Sequence, residues 1–138
     1  MAIDFSKINL EIVDINTNVT PDIYISQSRI TFSKRVLEYL DYPQYVQYCV
    51  DPSQKIFAIR LCERNETNIA PFSKIKSDQR GALSSTNQNL RDAMVAMIPD
   101  YEIKKRYKVT GEYDSENRVM YFDMATAKKA NPRKKTGE

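Results

Sequence analysis

The sequence contains no histidine, only three glycines and only two cysteines, and each shortage excludes a class of site. Without histidine, neither a Ser-His-Asp nor a Cys-His nucleophile arrangement is possible, and the usual proton shuttle near neutral pH is missing. Glycines at positions 81, 111 and 137 do not form any known phosphate-binding loop. Cys49 and Cys62 alone cannot complete a four-ligand zinc site. We therefore expect a non-enzymatic protein that carries no cofactor.

The chain also lacks any apolar run near the roughly 20 residues that a membrane-spanning helix requires. Residues Met1–Phe5 have neither the basic start nor the apolar stretch of a secretory signal. We therefore expect a cytoplasmic protein with no membrane contact. Because cytoplasmic cysteines stay reduced, Cys49 and Cys62 are expected to be buried as small hydrophobic residues.

Charge is present but unevenly distributed along the chain. The formal net charge is +3, yet residues 74–108 contain eight bases against four acids. The last eleven residues contain five bases and one acid. Residues 1–26 and 109–127 are acidic in balance. Blocks of this kind predict a basic face together with a basic tail.

Alternating apolar residues predict several strands in the first half of the chain. These strands are residues 8–15, Ile23–Ile25, Arg29–Phe32, Tyr45–Val50 and Ile56–Leu61. Ser33 has the residue type and position of an N-cap, and a short helix is predicted over Lys34–Leu40. The turn Asp51–Gln54 has aspartate first and proline second, which favours a hairpin between the last two strands.

The second half shows the same order of elements. Its predicted strands are Ala82–Thr86, Arg106–Tyr113 and Arg118–Met124. Ser85 and Gln88 have the spacing of a capping box, and apolar residues follow at helical spacing from Leu90 to Ile98. Each half therefore predicts a strand, a short helix and a hairpin, which suggests a degenerate internal duplication, although βαββ is also a common arrangement.

These elements predict an α+β protein of two βαββ-like lobes with mostly antiparallel strands and two short helices. A single domain would span residues 1–124. Its first lobe would cover about 8–62 and its second about 82–124, joined by a polar linker at 63–81. Residues 125–138 would form a basic flexible tail.

One stretch has a recognisable pattern. Residues Ser28–Leu40 contain an arginine, alternating apolar residues, a serine followed by lysine, and a short helix ending in leucine. This pattern, continued through residue 61, resembles the swapped-hairpin DNA-binding domain of AbrB- and MazE-type transcription regulators. In that family two chains interleave, and the resemblance places Arg29, Lys34 and Arg35 against DNA. Two copies in one chain could imitate such a dimer.

Two further basic groups are nucleic-acid-binding candidates, because lysine and arginine pair with phosphates and release counterions. The members around the predicted strand 106–113 are Lys104, Lys105, Arg106 and Lys108. The members in the tail are Lys128, Lys129, Arg133, Lys134 and Lys135. The alternatives are a solvated strand face and a solubilising terminus.

Tyrosine and acidic residues supply the remaining candidates. The chain has nine tyrosines and no tryptophan, and Tyr42 and Tyr45 flank a turn, which makes them interface candidates. Acids cluster around the second hairpin, namely Glu112, Asp114, Glu116 and Asp123. Since acids are routine in turns, we expect no metal site there.

Together these features favour a non-enzymatic nucleic-acid-binding accessory or regulatory protein acting on DNA or RNA, of the kind found in phages and other mobile elements. The alternative is a small protein-interaction inhibitor or adaptor, for example an anti-CRISPR type inhibitor of a nucleic-acid-guided defence nuclease. A protein that mimics DNA should be strongly acidic, and this chain is not. A protein partner and a homodimer both stay open.

Overall fold

A computed structural model describes Ser6, residues 20–79 and residues 81–130. In these residues an antiparallel sheet of nine strands curls into a half-barrel, accompanied by two short helices. The strands are β1 Asp22–Ile25, β2 Ile30–Phe32, β3 Tyr45–Asp51, β4 Ile56–Leu61, β5 Ala70–Pro71, β6 Leu83–Ser85, β7 Arg106–Asp114, β8 Val119–Asp123 and β9 Lys128–Ala130. The helices are α1 Lys34–Tyr39 and α2 Gln88–Val95, and a 3₁₀ helix covers Met124–Thr126. The predicted antiparallel strands and two helices are confirmed.

The strands of the two halves interleave in one sheet rather than forming separate lobes. The order is β5-β3-β4-β8-β7-β1-β2-β6, and β9 pairs with β7. Strand β4 of the expected first lobe pairs with β8 of the expected second, and β1 pairs with β7. Two separate lobes are therefore not confirmed. Pairing across the halves satisfies backbone groups that isolated lobes would leave at open edges.

The core lies on the inner face of the curled sheet, and strand alternation explains its membership. Successive residues of a strand point to opposite faces, so every second residue enters the core. In β7, Tyr107 and Val109 are buried, whereas Arg106 and Lys108 face outward, as the alternation predicts. Both helices add buried side chains to the same core, namely Val36, Leu37 and Met94.

The capping predictions need correction at both helices. Ser33 occupies the N-cap position of α1, but its hydroxyl makes no capping bond and instead accepts from the backbone N of Asp22 at 3.1 Å. The N-cap of α2 is Asn87, whose side chain accepts from the N of Leu90 at 3.0 Å. Ser85 belongs to β6 and accepts from the N of Asn87. Each serine hydroxyl accepts from a backbone N–H outside the helix instead of from one in its first turn. The spacing of residues in the sequence does not reveal this competition between backbone donors.

The hairpins β3–β4 and β7–β8 are built alike. Asp51 and Asp114 each accept, through Oδ1, from the backbone N atoms two and three residues later. The residues that end the two turns, Lys55 and Arg118, have φ angles of 59° and 56°. Lys55 O accepts from Met124 N at 2.8 Å, and Arg118 O accepts from Leu61 N at 2.9 Å.

The other strand pairings also correspond between the halves. β2 pairs with β6 and β4 pairs with β8, each antiparallel. The pairing of β1 with β7 has a counterpart in the pairing of β5 with β3. The internal duplication nevertheless stays a prediction.

Two expected irregular segments contain regular structure. The segment predicted as a polar linker, 63–81, includes β5 and the buried residues Phe72 and Ser73. Residues 128–130, expected in a tail, form β9 against β7. Residues 131–138 and the predicted strand at 8–15 lie outside the described residues. Neither α1 nor α2, the helices of the described ranges, is long and apolar enough to cross a membrane.

Candidate nucleic-acid interface

A concavity of about 950 Å³ opens on the outer face of the sheet, between the β1–β2 hairpin, the loop before β7, and β9. We call it the basic groove. Its lining includes six cationic residues: Arg29, Lys34, Lys104, Lys105, Arg106 and Lys129. Among the described residues, no aspartate or glutamate lines it. The fold thus brings together cations that are separated by up to a hundred positions in the sequence.

Strand pairing explains this convergence. Tyr24 of β1 is the cross-strand neighbour of Thr31 on one side and of Lys108 on the other. Lys108 in turn faces Lys128 of β9. Because directly paired residues lie on the same face of a sheet, these four side chains form one row across the outer surface. Lys108 and Lys128 therefore extend the positive surface beside the groove.

An arginine and a tyrosine stack within the groove. The guanidinium carbon of Arg106 lies 4.1 Å from the centre of the Tyr24 ring. This cation–π contact places a charged, planar group over an aromatic face. Arg106 therefore has a preferred orientation in the groove, and an oriented guanidinium can meet a phosphate with two parallel donors.

A buried arginine supports the hairpin loop that forms one wall. Arg91 of α2 is only 6% exposed. Its Nε donates to the backbone O of Ser26 at 2.8 Å, and its Nη2 contacts the hydroxyl of Tyr101 at 2.5 Å. Arg91 was not among the predicted site residues. The available signal was a charged residue between Leu90 and Met94, on the apolar side of the predicted helix.

One groove lysine is already paired with an acid. Lys129 Nζ lies 2.6 Å from Oε2 of Glu102, in the loop before β7. The hydrogen bond from Lys129 is the main reason that the pKa of Glu102 is lowered, and Lys105 lowers it further by charge. The same bond raises the pKa of Lys129. The pair connects this loop to β9 and neutralises one cation of the groove. Glu102 was not a predicted site residue.

Some predicted cations are not part of the groove. Arg35 lies 3.5 Å from Glu38 and its guanidinium stacks over Tyr39 at 4.9 Å, so the structure directs it along α1. Arg35 and Lys34 occupy different faces of α1, and only Lys34 lines the groove. The tail residues Arg133, Lys134 and Lys135 lie outside the described residues.

The two interface tyrosines lie away from the groove. Tyr42 is half-buried against the core, with φ of 51°. Tyr45 is half-buried at the start of β3, where the Arg64 guanidinium lies 5.9 Å from its ring centre. Neither Tyr42 nor Tyr45 is among the residues that line the basic groove.

Two members of the acidic cluster, Asp114 and Asp123, have structural roles. Asp114 accepts turn hydrogen bonds from Asn117 and Glu116, and the Asn117 side chain is the main cause of its lowered pKa. Asp123 accepts from the N of Ala125 and begins the 3₁₀ helix. Within the described ranges, no group of three or more His, Cys, Asp or Glu residues could hold a metal ion.

Both cysteines are free thiols, as predicted, but they are half-buried rather than buried. Cys49 lies on the outer face of β3, whose even-numbered neighbours Val46 and Tyr48 point inward. Cys62 follows β4, and partial burial is the main reason that its pKa is raised, with Glu66 and Glu63 adding to the effect. A raised pKa disfavours the reactive thiolate.

Comparisons with protein-family models, curated proteins and solved structures find no match for this chain. The resemblance to AbrB- and MazE-type regulators therefore stays a prediction.

Proposed function

We propose that this protein binds nucleic acid through the basic groove and acts as a non-enzymatic accessory or regulatory protein. The observation that carries the proposal is the gathering of six cationic residues on one concave surface that no acid lines within the described part of the chain. A polyanion is the ligand that such a surface attracts over a range of about 10 Å at moderate salt.

The groove also offers groups that suit a phosphodiester backbone. Hydroxyl residues lie among the cations, namely Ser26, Ser28, Thr31 and Ser33. Hydroxyls and cationic side chains supply most contacts to phosphate oxygens in protein–nucleic acid complexes. Such contacts position a strand without reading its sequence. We therefore propose backbone binding with little sequence preference.

The position of the strand–helix segment supports the same proposal. Arg29 precedes β2 and Lys34 begins α1, and both line the groove. These are two of the three residues that the resemblance to swapped-hairpin regulators implies on DNA. Strands from the two halves also interleave, as they would if two copies in one chain imitated the interleaved dimer of those regulators.

A second candidate is a protein-interaction inhibitor or adaptor, for which the groove would receive an acidic protein surface. The Lys129–Glu102 pair favours it, because it shows a groove lysine bound to a carboxylate. Phosphodiesters and carboxylates differ in geometry and in counterion release, so the two candidates are separable by direct competition.

The experiment compares a groove variant with a matched control. Labelled single-stranded DNA, duplex DNA and RNA of one length are titrated with the wild type, with K104E/K105E and with K74E/K76E. The control changes two exposed lysines outside the groove by the same charge. We expect micromolar or tighter binding by the wild type and the control, and at least a tenfold loss for K104E/K105E.

Poly-glutamate serves as the competitor that represents an acidic protein surface. Competition by nucleic acid but not by equal charge of poly-glutamate supports the proposal. Equal weakening by both double variants, or binding of poly-glutamate alone, would contradict it.

A further inference from the structure

The correspondence between the halves identifies a second concavity equivalent to the basic groove. Tyr45 lies six residues before the turn residue Asp51, and Lys108 lies six residues before its counterpart Asp114. Tyr45 pairs with Pro71 of β5, as Lys108 pairs with Tyr24 of β1. Pro71 is therefore in the position that corresponds to Tyr24.

A concavity of about 430 Å³ lies at this equivalent position, between β3 and β5. Its lining includes Pro71 and, two residues later, Ser73, just as the basic groove is lined by Tyr24 and Ser26. Corresponding strand pairs thus form one wall of each concavity. We call the concavity at β3 and β5 the second concavity.

The two concavities differ in charge. The second concavity is lined by a single cation, Lys74, and by the acid Asp78, together with the uncharged residues Gln44 and Ile75. The basic groove also has a wall supplied by β9, through Lys129 and Ala130, and β9 pairs with β7 rather than with β3. The equivalent positions therefore share a backbone arrangement but differ in electrostatics.

We infer that the chain consists of two corresponding halves, of which only one forms a working nucleic-acid site. A single copy of the chain therefore binds a single nucleic-acid strand. This inference rests on the proposed function. The second concavity has the position of a site but not the positive charge that attracts phosphates. Because the chain already contains both halves of the pair, one copy completes the sheet on both sides of the groove.

Stoichiometry of the wild type is the first test. A 12-nucleotide single-stranded DNA is titrated into the protein, and the mass of the complex is measured by native mass spectrometry and by light scattering. We expect one chain and one oligonucleotide. Two chains on each oligonucleotide, or two oligonucleotides on each chain, would contradict the inference while leaving nucleic-acid binding intact. An absence of any binding would overturn the proposed function itself.

Transfer of charge to the second concavity is the second test. The variant Q44K/I75R/D78K changes three exposed residues there, and E112K/E116K adds the same charge on the outer face and turn of the β7–β8 hairpin. Circular dichroism establishes that both variants are folded. We expect the first variant to bind a second oligonucleotide and the control to keep one. A folded first variant that still binds one, or a control that binds two, would contradict the equivalence.

Discussion

At the residue scale, Gly111 allows the ring of Phe122 to pack closely against the backbone of β7 in the core. It lies on the inner face of β7 and pairs with Phe122 of β8. A methyl group built at Gly111 would lie 2.5 Å from Cε1 of Phe122, well inside van der Waals contact. The absence of a side chain at this position therefore allows the phenyl ring to pack across the strand.

We predict that Gly111→Ala lowers the free energy of unfolding by about 1–3 kcal/mol, as overpacking of a core does. Urea denaturation measures it. Phe122→Leu in the Gly111→Ala background should recover part of the loss, seen as a coupling energy in a double-mutant cycle. Wild-type stability for Gly111→Ala, or strictly additive changes, would show that the contact does not limit packing.

Tyr48 provides a pH-dependent residue in the core. Its ring stacks near Phe32 and Phe57, with centroid distances of 6.2 and 6.0 Å. Burial raises the pKa of Tyr48 to about 12. The folded state therefore holds this proton more tightly than the unfolded state, whose tyrosine titrates near 10. The resulting stability is complete below pH 10 and is lost as pH rises toward about 12.

We predict that Tyr48→Phe flattens the decline of stability between pH 10 and 12. In the wild type, Tyr48 lowers the free energy of unfolding by up to about 1.4 kcal/mol for each pH unit in that window, because only the unfolded tyrosine ionises there. The substitution removes this contribution. Denaturation curves at several alkaline pH values measure it, and an ultraviolet absorbance titration follows tyrosine ionisation directly. Parallel pH profiles for wild type and Tyr48→Phe would contradict the assignment.

At the element scale, α2 holds the β1–β2 hairpin loop through Arg91. Its guanidinium donates to Ser26 O, and Ser26 also bonds across the loop to Arg29. We predict that Arg91→Met increases amide hydrogen exchange in residues 26–29 and weakens oligonucleotide binding severalfold. Exchange in the β3–β4 hairpin, which Arg91 does not contact, serves as the internal control. Faster exchange throughout the sheet would indicate general destabilisation instead of loop positioning.

The ion pair between Lys129 of β9 and Glu102 in the loop before β7 leads to a prediction of stronger oligonucleotide binding, not weaker. Glu102→Gln should release Lys129 from its ion pair and tighten oligonucleotide binding modestly. It should also steepen the dependence of log K on log salt by up to about one. Since the pKa of Glu102 is lowered, wild-type binding should strengthen toward the variant's only at pH values below the ordinary carboxylate range.

Glu66→Gln is the matched control for this prediction, because Glu66 is exposed and distant in sequence from the groove. Salt titrations of the wild type and both variants measure the effect. Weaker binding by Glu102→Gln would show that the pair positions Lys129 for the ligand instead of neutralising it.

At the scale of the whole molecule, local patterns predicted elements better than their assembly. The alternation in residues 106–113 correctly assigned Tyr107 inward and Lys108 outward, because side-chain direction depends only on period. The pairing of β4 with β8 could not be read locally, since it depends on registers between distant strands. The two predicted lobes are not confirmed for this reason.

In the candidate site, too, individual residues were predicted but the contacts between them were not. Arg29, Lys34, Lys104, Lys105, Arg106 and Lys129 were all predicted from charge or from the resemblance, and the structure places all of them around one concavity. Their partners were not predicted. Arg91 contacts Ser26 through the packing of α2 near the β1–β2 loop, and Glu102 contacts Lys129 through the pairing of β9 with β7, so neither contact can be read from local sequence.

The salt dependence of oligonucleotide binding tests the central claim most directly. For single strands, log K falls with log salt by about 0.7 for each phosphate neutralised. Engagement of most of the six groove cations predicts a slope of about −3 to −4 for the wild type. The slope should become shallower by about one or more in K104E/K105E and stay unchanged in K74E/K76E. A slope near zero, or equal slopes in all three proteins, would contradict binding through the basic groove.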